Sequence, residues 1–269
     1  MLNYIVFRLQ RLKQFENKLR RYNAYRPDSI IKWKGQMNLS WNTTRKVLTE
    51  LRVFTSREIR QMLKQTVEQN KQIFDGANCY ICRFGRPGKS GEIILYEFCH
   101  GCPDYGDRVV EMWKLPALPE NSTIVFIDDL LGTGRQSTDY ISTNVAPFLN
   151  RSHNPLLMSL CATPQGIQKV SGNTNFRVIP HLILDDPDFQ HYSDESRIFD
   201  HKERTAIKEI NNMLHGGGMD VFDRGLLIAF YYSVPNNTMP LIWKDNYEYS
   251  DRKGNRRTWF ALLPRHYVA

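Results

Sequence analysis

Two adjacent acidic residues, Asp128 and Asp129, close the apolar run Thr123-Ile124-Val125-Phe126-Ile127. They precede a glycine-bearing segment, Gly132-Thr133-Gly134-Arg135-Gln136-Ser137. A β-branched and aromatic run of this kind suits a central parallel strand buried on both faces. Ligands of open α/β sheets bind at the carboxyl ends of such strands, which is where the acidic pair falls. Gly132 and Gly134 let the backbone turn tightly and bring its amides close to an anion. Thr133 and Ser137 add hydroxyl donors, and the helix expected from Ser137 adds free N–H groups and a partial positive charge. Two carboxylates beside a phosphate cradle repel the anion unless something lies between them. A ribose diol fits there, because carboxylates accept hydrogen bonds from vicinal hydroxyls. The pattern reads as recognition of a ribose 5-phosphate.

Other chemistry-bearing residues are more ambiguous. Gly85-Arg86-Pro87-Gly88-Lys89-Ser90-Gly91 is a basic, glycine-rich loop, and it lacks the GxxxxGK[ST] spacing of a Walker loop. Cys79-x2-Cys82 and Cys99-x2-Cys102 have the spacing of a four-thiolate zinc site. However, thiols three apart on a strand face opposite sides. Structural zinc therefore stays open, with inert thiols favoured. Cys161 reads as core. The histidines form no i, i+4 metal pair, and His181 begins an apolar strand as a structural residue. Asp185-Asp186-Pro187-Asp188 reads first as a solvated turn and second as a pocket wall or cation site.

The order of strand, acidic pair, apolar pair and Thr-Gly loop resembles the phosphoribosyl pyrophosphate (PRPP) motif of type I phosphoribosyltransferases. That resemblance implies that Asp128 and Asp129 hold the ribose 2′- and 3′-hydroxyls and act as the catalytic and metal-associated pair. It also implies that Gly132, Thr133, Gly134, Arg135, Gln136 and Ser137 wrap the 5′-phosphate, with Mg²⁺ on the pyrophosphate and ribose hydroxyls. Two positions depart from the family pattern: Gly132 stands where several members carry an acidic or hydroxyl residue, and Gln136 where many carry Thr. Taken with the GRPGKSG loop, Pro235-Asn236-Asn237-Thr238, Trp243 and Trp259…Pro264-Arg265, the block is most similar to the phosphoribosyltransferase-like domains of bacterial conflict systems. Some of those are antiphage effectors encoded beside retron reverse transcriptases. In that fold Arg86 and Lys89 would contact pyrophosphate. Asn236, Asn237 and the aromatics near Tyr231 and Tyr232 are candidates for an acceptor nucleobase.

These residues need a scaffold, and the pattern gives an α/β parallel sheet preceded by a small helical domain. Residues 1–75 read as a basic helical domain, in which a winged-helix-like module is one form, and residues 76–269 as the phosphoribosyltransferase-like domain. Leu2, Ile5, Leu9, Leu12, Phe15 and Leu19 recur at helical steps. A break at Pro27 and a weaker helical stretch from Trp33 to Leu51 follow. Thr55 and Glu58 then resemble a capping box opening a helix over Ser56–Gln72. Strands are expected at Cys79–Phe84, Glu92–Phe98, Thr123–Ile127, Leu156–Cys161, Phe176–Leu184 and Gly225–Val234. Helices are expected at Tyr105–Trp113, Ser137–Leu149 and Glu203–Leu214.

The 269 residues, 41% hydrophobic and 24% charged, are enough for a sizeable core. The net charge of +8 is uneven. Residues 1–75 carry 16 Lys and Arg against 6 Asp and Glu, a balance of +10, and the rest balances at −2. A basic front suggests an anionic partner, such as a reverse transcriptase–nucleic acid complex if the conflict-system resemblance holds. The five cysteines, with no export signal, argue against a disulfide framework and for a cytoplasmic protein. No run is long and apolar enough for a membrane span. The resemblance thus implies one of two functions: a PRPP-dependent enzyme acting on nucleobases or nucleotides, or an inactive nucleotide-sensing or scaffolding subunit that docks a protein–nucleic acid complex through its basic N-terminal helices.

Overall fold

A computed structural model describes residues 12–185, 189, 191–215, 224–250 and 254–265. Residues 12–19 are helical (α1), followed by α2 (Ser29–Gly35), α3 (Trp41–Glu50) and a short strand β1 (Arg52–Phe54). Then come α4 (Ser56–Gln69), α5 (Lys71–Phe74), β2 (Cys79–Arg83) and α6 (Ser90–Gly101). Two 3-10 turns, Pro103–Arg108 and Met112–Ala117, lead to β3 (Thr123–Leu131). Helix α7 (Arg135–Tyr140) continues as a π turn, Ile141–Val145, and a 3-10 turn, Ala146–Phe148. The sheet is completed by β4 (Asn154–Ala162), α8 (Pro164–Asn173) and β5 (Arg177–Ile183). Beyond it lie α9 (His201–Leu214), β6 (Ile228–Phe230), α10 (Pro240–Trp243) and the hairpin of β7 (Tyr247–Ser250) with β8 (Arg256–Trp259).

These elements form two compact units, Ser56–Asp185 and Met1–Thr55 with Asp186–Ala269. In the first unit, β2-β3-β4-β5 form a fully parallel sheet. Ile124 and Phe126 point into a cluster with Leu115, Ile141, Val145, Val170 and Phe176 on the α7–α8 face. The alternation of a strand sends Val125 and Ile127 to the opposite face, where α4 and α6 pack with Ile59, Leu63, Ile94 and Phe98 buried. Val109 adds an isolated parallel bridge to Ile81, and the Val110 amide donates to the Ile81 carbonyl at 2.8 Å. The chain therefore leaves β2 through α6, touches the far edge of β2, and only then enters β3. The named strands run in sequential order. It is with the Val109 bridge counted as an edge strand that the order reverses between β2 and β3, the kind of point at which the crevice of an open α/β sheet forms.

The second unit draws its core from both ends of the chain. Leu19, Tyr22, Trp33, Val47 and Leu48 share one cluster with Ile207, Leu241, Trp243, Trp259 and Leu262. Trp33 Nε1 donates to the Leu241 carbonyl at 2.6 Å, and the Tyr22 hydroxyl to that of Pro264 at 2.7 Å. Strand β1 pairs in parallel with β6. Helix α9 opens with a capping box: the Glu203 amide donates to Asp200 Oδ1 (2.8 Å) and the Asp200 amide to Glu203 Oε2 (3.1 Å).

Several expectations are corrected. The apolar run Glu92–Phe98 lies inside helix α6, with Ile94, Glu97 and Phe98 buried at helical spacing. A short apolar run fits either period, and buried Glu97 is satisfied by Arg60 Nε at 2.6 Å and by the Ser56 hydroxyl at 3.0 Å. The Trp33–Leu51 stretch splits in two, because Ser40 caps α3 by accepting from the Thr43 amide at 3.0 Å. Tyr105–Trp113 is not one helix, since Val109 breaks it to bridge β2. The Gly225–Val234 run yields only β6, which joins β1 and not the parallel sheet. The boundary expected at residue 75 falls within the sheet unit, where α4 buries Ile59, Met62, Leu63 and Val67. Leu2, Ile5 and Leu9 lie outside the described residues.

Candidate functional site

Strand β3 does not stop at Ile127. It runs through the acidic pair to Leu131, with Asp128 in register with Ser159 and Leu130 with Cys161 on β4. The two carboxylates are thus fixed as strand residues at the switch point. Asp128 Oδ1 accepts from the Asp129 amide (3.0 Å), and Asp129 Oδ1 from the Leu130 amide (2.7 Å). The Ser90 hydroxyl, at the start of α6, also bonds Asp128. Burial, and then the charge of Asp129, push the Asp128 carboxyl well above its usual range, against the bonds from Asp129 N–H and Ser90. A strained pair of like charges of this kind favours a ligand that donates hydroxyl hydrogens or brings a cation.

The segment after β3 is held from below by α8. The Thr163 hydroxyl donates to the Gly132 carbonyl at 2.6 Å and the Thr163 amide to that of Leu131 at 2.9 Å. Thr163 also caps α8 by accepting from the Gly166 amide at 3.0 Å. A Cβ at Gly166 would lie 2.3 Å from the Gly132 oxygen, and one at Gly134 would lie 2.8 Å from the Gly166 oxygen. Gly134, at φ 72°, then turns the chain into α7, where the Thr138 amide and hydroxyl both donate to its carbonyl at 2.9 and 2.8 Å. Thr133 is half-buried, Ser137 buried, and Arg135 and Gln136 exposed. Thr163 and Gly166 were missed from the sequence. Their signal was a Thr-Pro helix start directly after an apolar strand.

The second loop leaves β2 beside the first. Arg86, Pro87, Gly88 and Lys89 are exposed, and Gly85 and Gly88 have φ of 94° and 73°. The Tyr140 hydroxyl, on α7, and Arg83 Nη1 converge on the Gly85 carbonyl at 2.8 and 2.9 Å. The Gly88 amide donates to Glu92 Oε2 at 2.9 Å. Where the loop enters α6, a Cβ at Gly91 would stand 1.7 Å from the Phe84 oxygen. Burial raises the Tyr140 hydroxyl, and the charges of Arg83, Arg86 and Asp128 lie close enough to act on it. The structure therefore gathers Asp128, Arg86 and Tyr140, with Lys89 next to Ser90, around the ends of β2 and β3.

The remaining candidates lie on other elements or elsewhere on these. Asn236, Asn237, Tyr231 and Tyr232 belong to the other unit, where the Asn237 carbonyl takes the Arg224 and Leu226 amides and the two tyrosine rings meet edge-on at 5.1 Å. Among the described residues no three His, Cys, Asp or Glu side chains gather as a metal site, so the zinc option is not supported. Cys79 and Cys82 lie on β2, Cys99 on α6 and Cys102 at its end. Burial pushes Cys82 up to about 12 and Cys102 to about 11, which keeps both as neutral thiols. His181 Nδ1 pairs with Thr66 Oγ1 at 3.0 Å in a structural role. Asp185 is exposed, and Asp186, Pro187 and Asp188 lie outside the described residues. Among the described residues no helix is long and apolar enough to cross a membrane.

The chain is similar to several solved structures. Orotate phosphoribosyltransferase from Aeropyrum pernix shares 13% identity over 47% of this chain and 69% of that one, with a TM-score of 0.32. Hypoxanthine-guanine phosphoribosyltransferase from Schistosoma mansoni, in complex with IMP, shares 13% over 49% and 64%, with a TM-score of 0.31. Hypoxanthine phosphoribosyltransferase of Trypanosoma cruzi shares 13% over 49% and 81%, with a TM-score of 0.33. No curated protein matches. The PRTase-CE family model matches residues 30–265, which span both compact units and both glycine loops, and the chain belongs to the PRTase-CE family.

Proposed function

We propose that the protein binds PRPP and transfers its phosphoribosyl group to a nitrogen of a nucleobase or nucleotide. The observation that carries this reading is the acidic pair of β3 standing at the strand-order switch, between a glycine loop braced by α8 and a basic loop tied to α7. Asp128 and Asp129 accept from the ribose hydroxyls. The amides and hydroxyls of Gly132, Thr133, Gly134, Arg135, Gln136 and Ser137 hold the 5′-phosphate. Arg86 and Lys89 face the pyrophosphate. The bond from C1 to the leaving oxygen breaks with its electron pair going to pyrophosphate, a C1–N bond forms, and the proton of the acceptor nitrogen passes to the departing pyrophosphate or to water.

The donor set suits Mg²⁺: each carboxylate spends one oxygen on a backbone amide, so a hard cation would be held chiefly by ligand oxygens and water. Bound there, Mg²⁺ neutralises the leaving charge. Gly132 offers no side chain as a base, so catalysis rests on positioning and electrostatics.

Calorimetry with Mg²⁺–PRPP, followed by pyrophosphate release across nucleobases and nucleotides, tests the reading. An Asp128→Asn, Asp129→Asn protein that binds and turns over like the parent would end it. A second reading is supported by Gly132: tight PRPP binding with no release on any acceptor would mark a nucleotide-sensing or scaffolding subunit. In either form the protein serves as an effector of a bacterial antiphage conflict system, working in the cytoplasm in a complex. The basic N-terminal segment, residues 1–75, docks a protein–nucleic acid partner such as a reverse transcriptase complex.

A further inference from the structure

The second unit carries an aromatic and basic surface far from being explained by its core. Among the described residues, six large hydrophobic side chains are strongly exposed, and three of them, Ile31 (60%), Trp41 (47%) and Phe260 (44%), gather around α2. Ile31 and Lys34 lie one turn apart on the outer face of α2, whose inner face buries Ile30 and Trp33. The Lys34 ammonium sits over the Trp41 ring, 5.2 Å from its centroid. Phe260 is held beside the end of α2, because the Gln36 side chain takes its amide at 2.7 Å and donates to its carbonyl at 3.0 Å. Lys32 and Arg256 are exposed on the flanking α2 and β8. Of the carboxylates on these elements, Asp245 is engaged by Arg26 at 3.4 Å and by the Ala261 amide at 3.0 Å, while Asp28 at the N-cap of α2 and Glu248 on β7 are exposed. The patch presents flat rings with cations around them.

Monomeric proteins seldom expose such a cluster without a partner. The charge points to a polyanion, and the rings point to a polyanion with free π-faces. A duplex hides its base faces, so an exposed Trp and Phe gain little from it. Unpaired bases stack on such rings while Lys and Arg follow the phosphates. We propose that single-stranded nucleic acid binds this surface, with Trp41 and Phe260 as stacking platforms and Lys32, Lys34 and Arg256 on the backbone. The assignment rests on the basic-front reading above, places part of the contact in the C-terminal hairpin, and names the strand state.

The test is fluorescence anisotropy of the full chain with a labelled oligothymidylate of about 16 nucleotides and a duplex of equal length, in about 50 and about 200 mM salt. The parent should bind the single strand more tightly than the duplex. Trp41→Ala and Phe260→Ala, both at exposed positions, should each weaken single-strand binding about tenfold. Lys34→Gln, with the ring retained, should lower the salt slope by roughly 0.7. Parent binding that both ring variants leave unchanged would overturn the location while leaving the basic front as a nucleic-acid contact. Equal losses for duplex and single strand would overturn the strand preference. A parent that binds neither oligonucleotide would overturn this proposal and the basic-front reading together, leaving a protein partner for the patch.

Discussion

The two glycine loops of the sheet unit leave neighbouring strands and are built on different principles. The loop after β3 is locked by backbone contacts: Thr163 grips two of its carbonyls, and Gly166 lies so close that no Cβ fits. The loop after β2 is locked only at its root, where Gly91 meets Phe84. At its tip, Cβ atoms on Gly85 or Gly88 would meet open space, and what holds it are side chains, Tyr140, Arg83 and Glu92. A template and a tether thus stand side by side. The first has its geometry before a ligand arrives. The second can be re-formed by exchanging side-chain hydrogen bonds for ligand ones.

This contrast can be broken at several points. Gly166→Ala should cost the most, about 3 kcal/mol of unfolding free energy, because backbone oxygens cannot move aside; urea melts showing a loss under about 1 kcal/mol would mean that the template is softer than described. Thr163→Val should cost about 1.5 kcal/mol through the lost cap and the lost bond to Gly132, and should weaken PRPP binding in calorimetry. Tyr140→Phe should cost about 1 kcal/mol or less. Its signature is local: faster proteolysis and hydrogen exchange in residues 85–89 with residues 131–137 unchanged. Equal exchange in both loops would erase the distinction. The smallest effect is a gain. Asp128 ionises in the folded protein only above its usual range, so its folded-state contribution is favourable at low pH and is lost as pH rises through that raised value. Asp128→Asn should therefore melt a few degrees higher than the parent near pH 8, with the gain vanishing below the ordinary carboxylate range. A constant difference across pH would contradict the cause assigned to the shift.

Much of the template was readable in one stretch of chain. β-branched and aromatic residues, an acidic pair and two glycines lie in consecutive order, so local propensity and the site coincide from Thr123 to Ser137. Strands β2, β4 and β5 and helix α9 were readable for the same local reasons. What holds the template was not, because Thr163 reaches Gly132 from 31 residues away. The tether was partly hidden by a wrong period: reading Glu92–Phe98 as strand left Ser90 and Gly91 without their place at a helix start beside Asp128. The edge bridge at Val109, which creates the switch between β2 and β3, involves one residue pair and leaves no pattern. The split core of the other unit was also invisible, since Trp33 and Leu241 are 208 positions apart.

That separation matters during synthesis. The sheet unit is one uninterrupted segment and can close as soon as it clears the ribosome. Trp33, Val47 and Leu48 meet their partners around Leu241 only after some two hundred further residues have been added, about 10 to 40 s at ordinary translation rates. The amino-terminal helices thus emerge sticky and must wait, which makes this newborn segment a natural client for a chaperone or for whatever the finished protein assembles with.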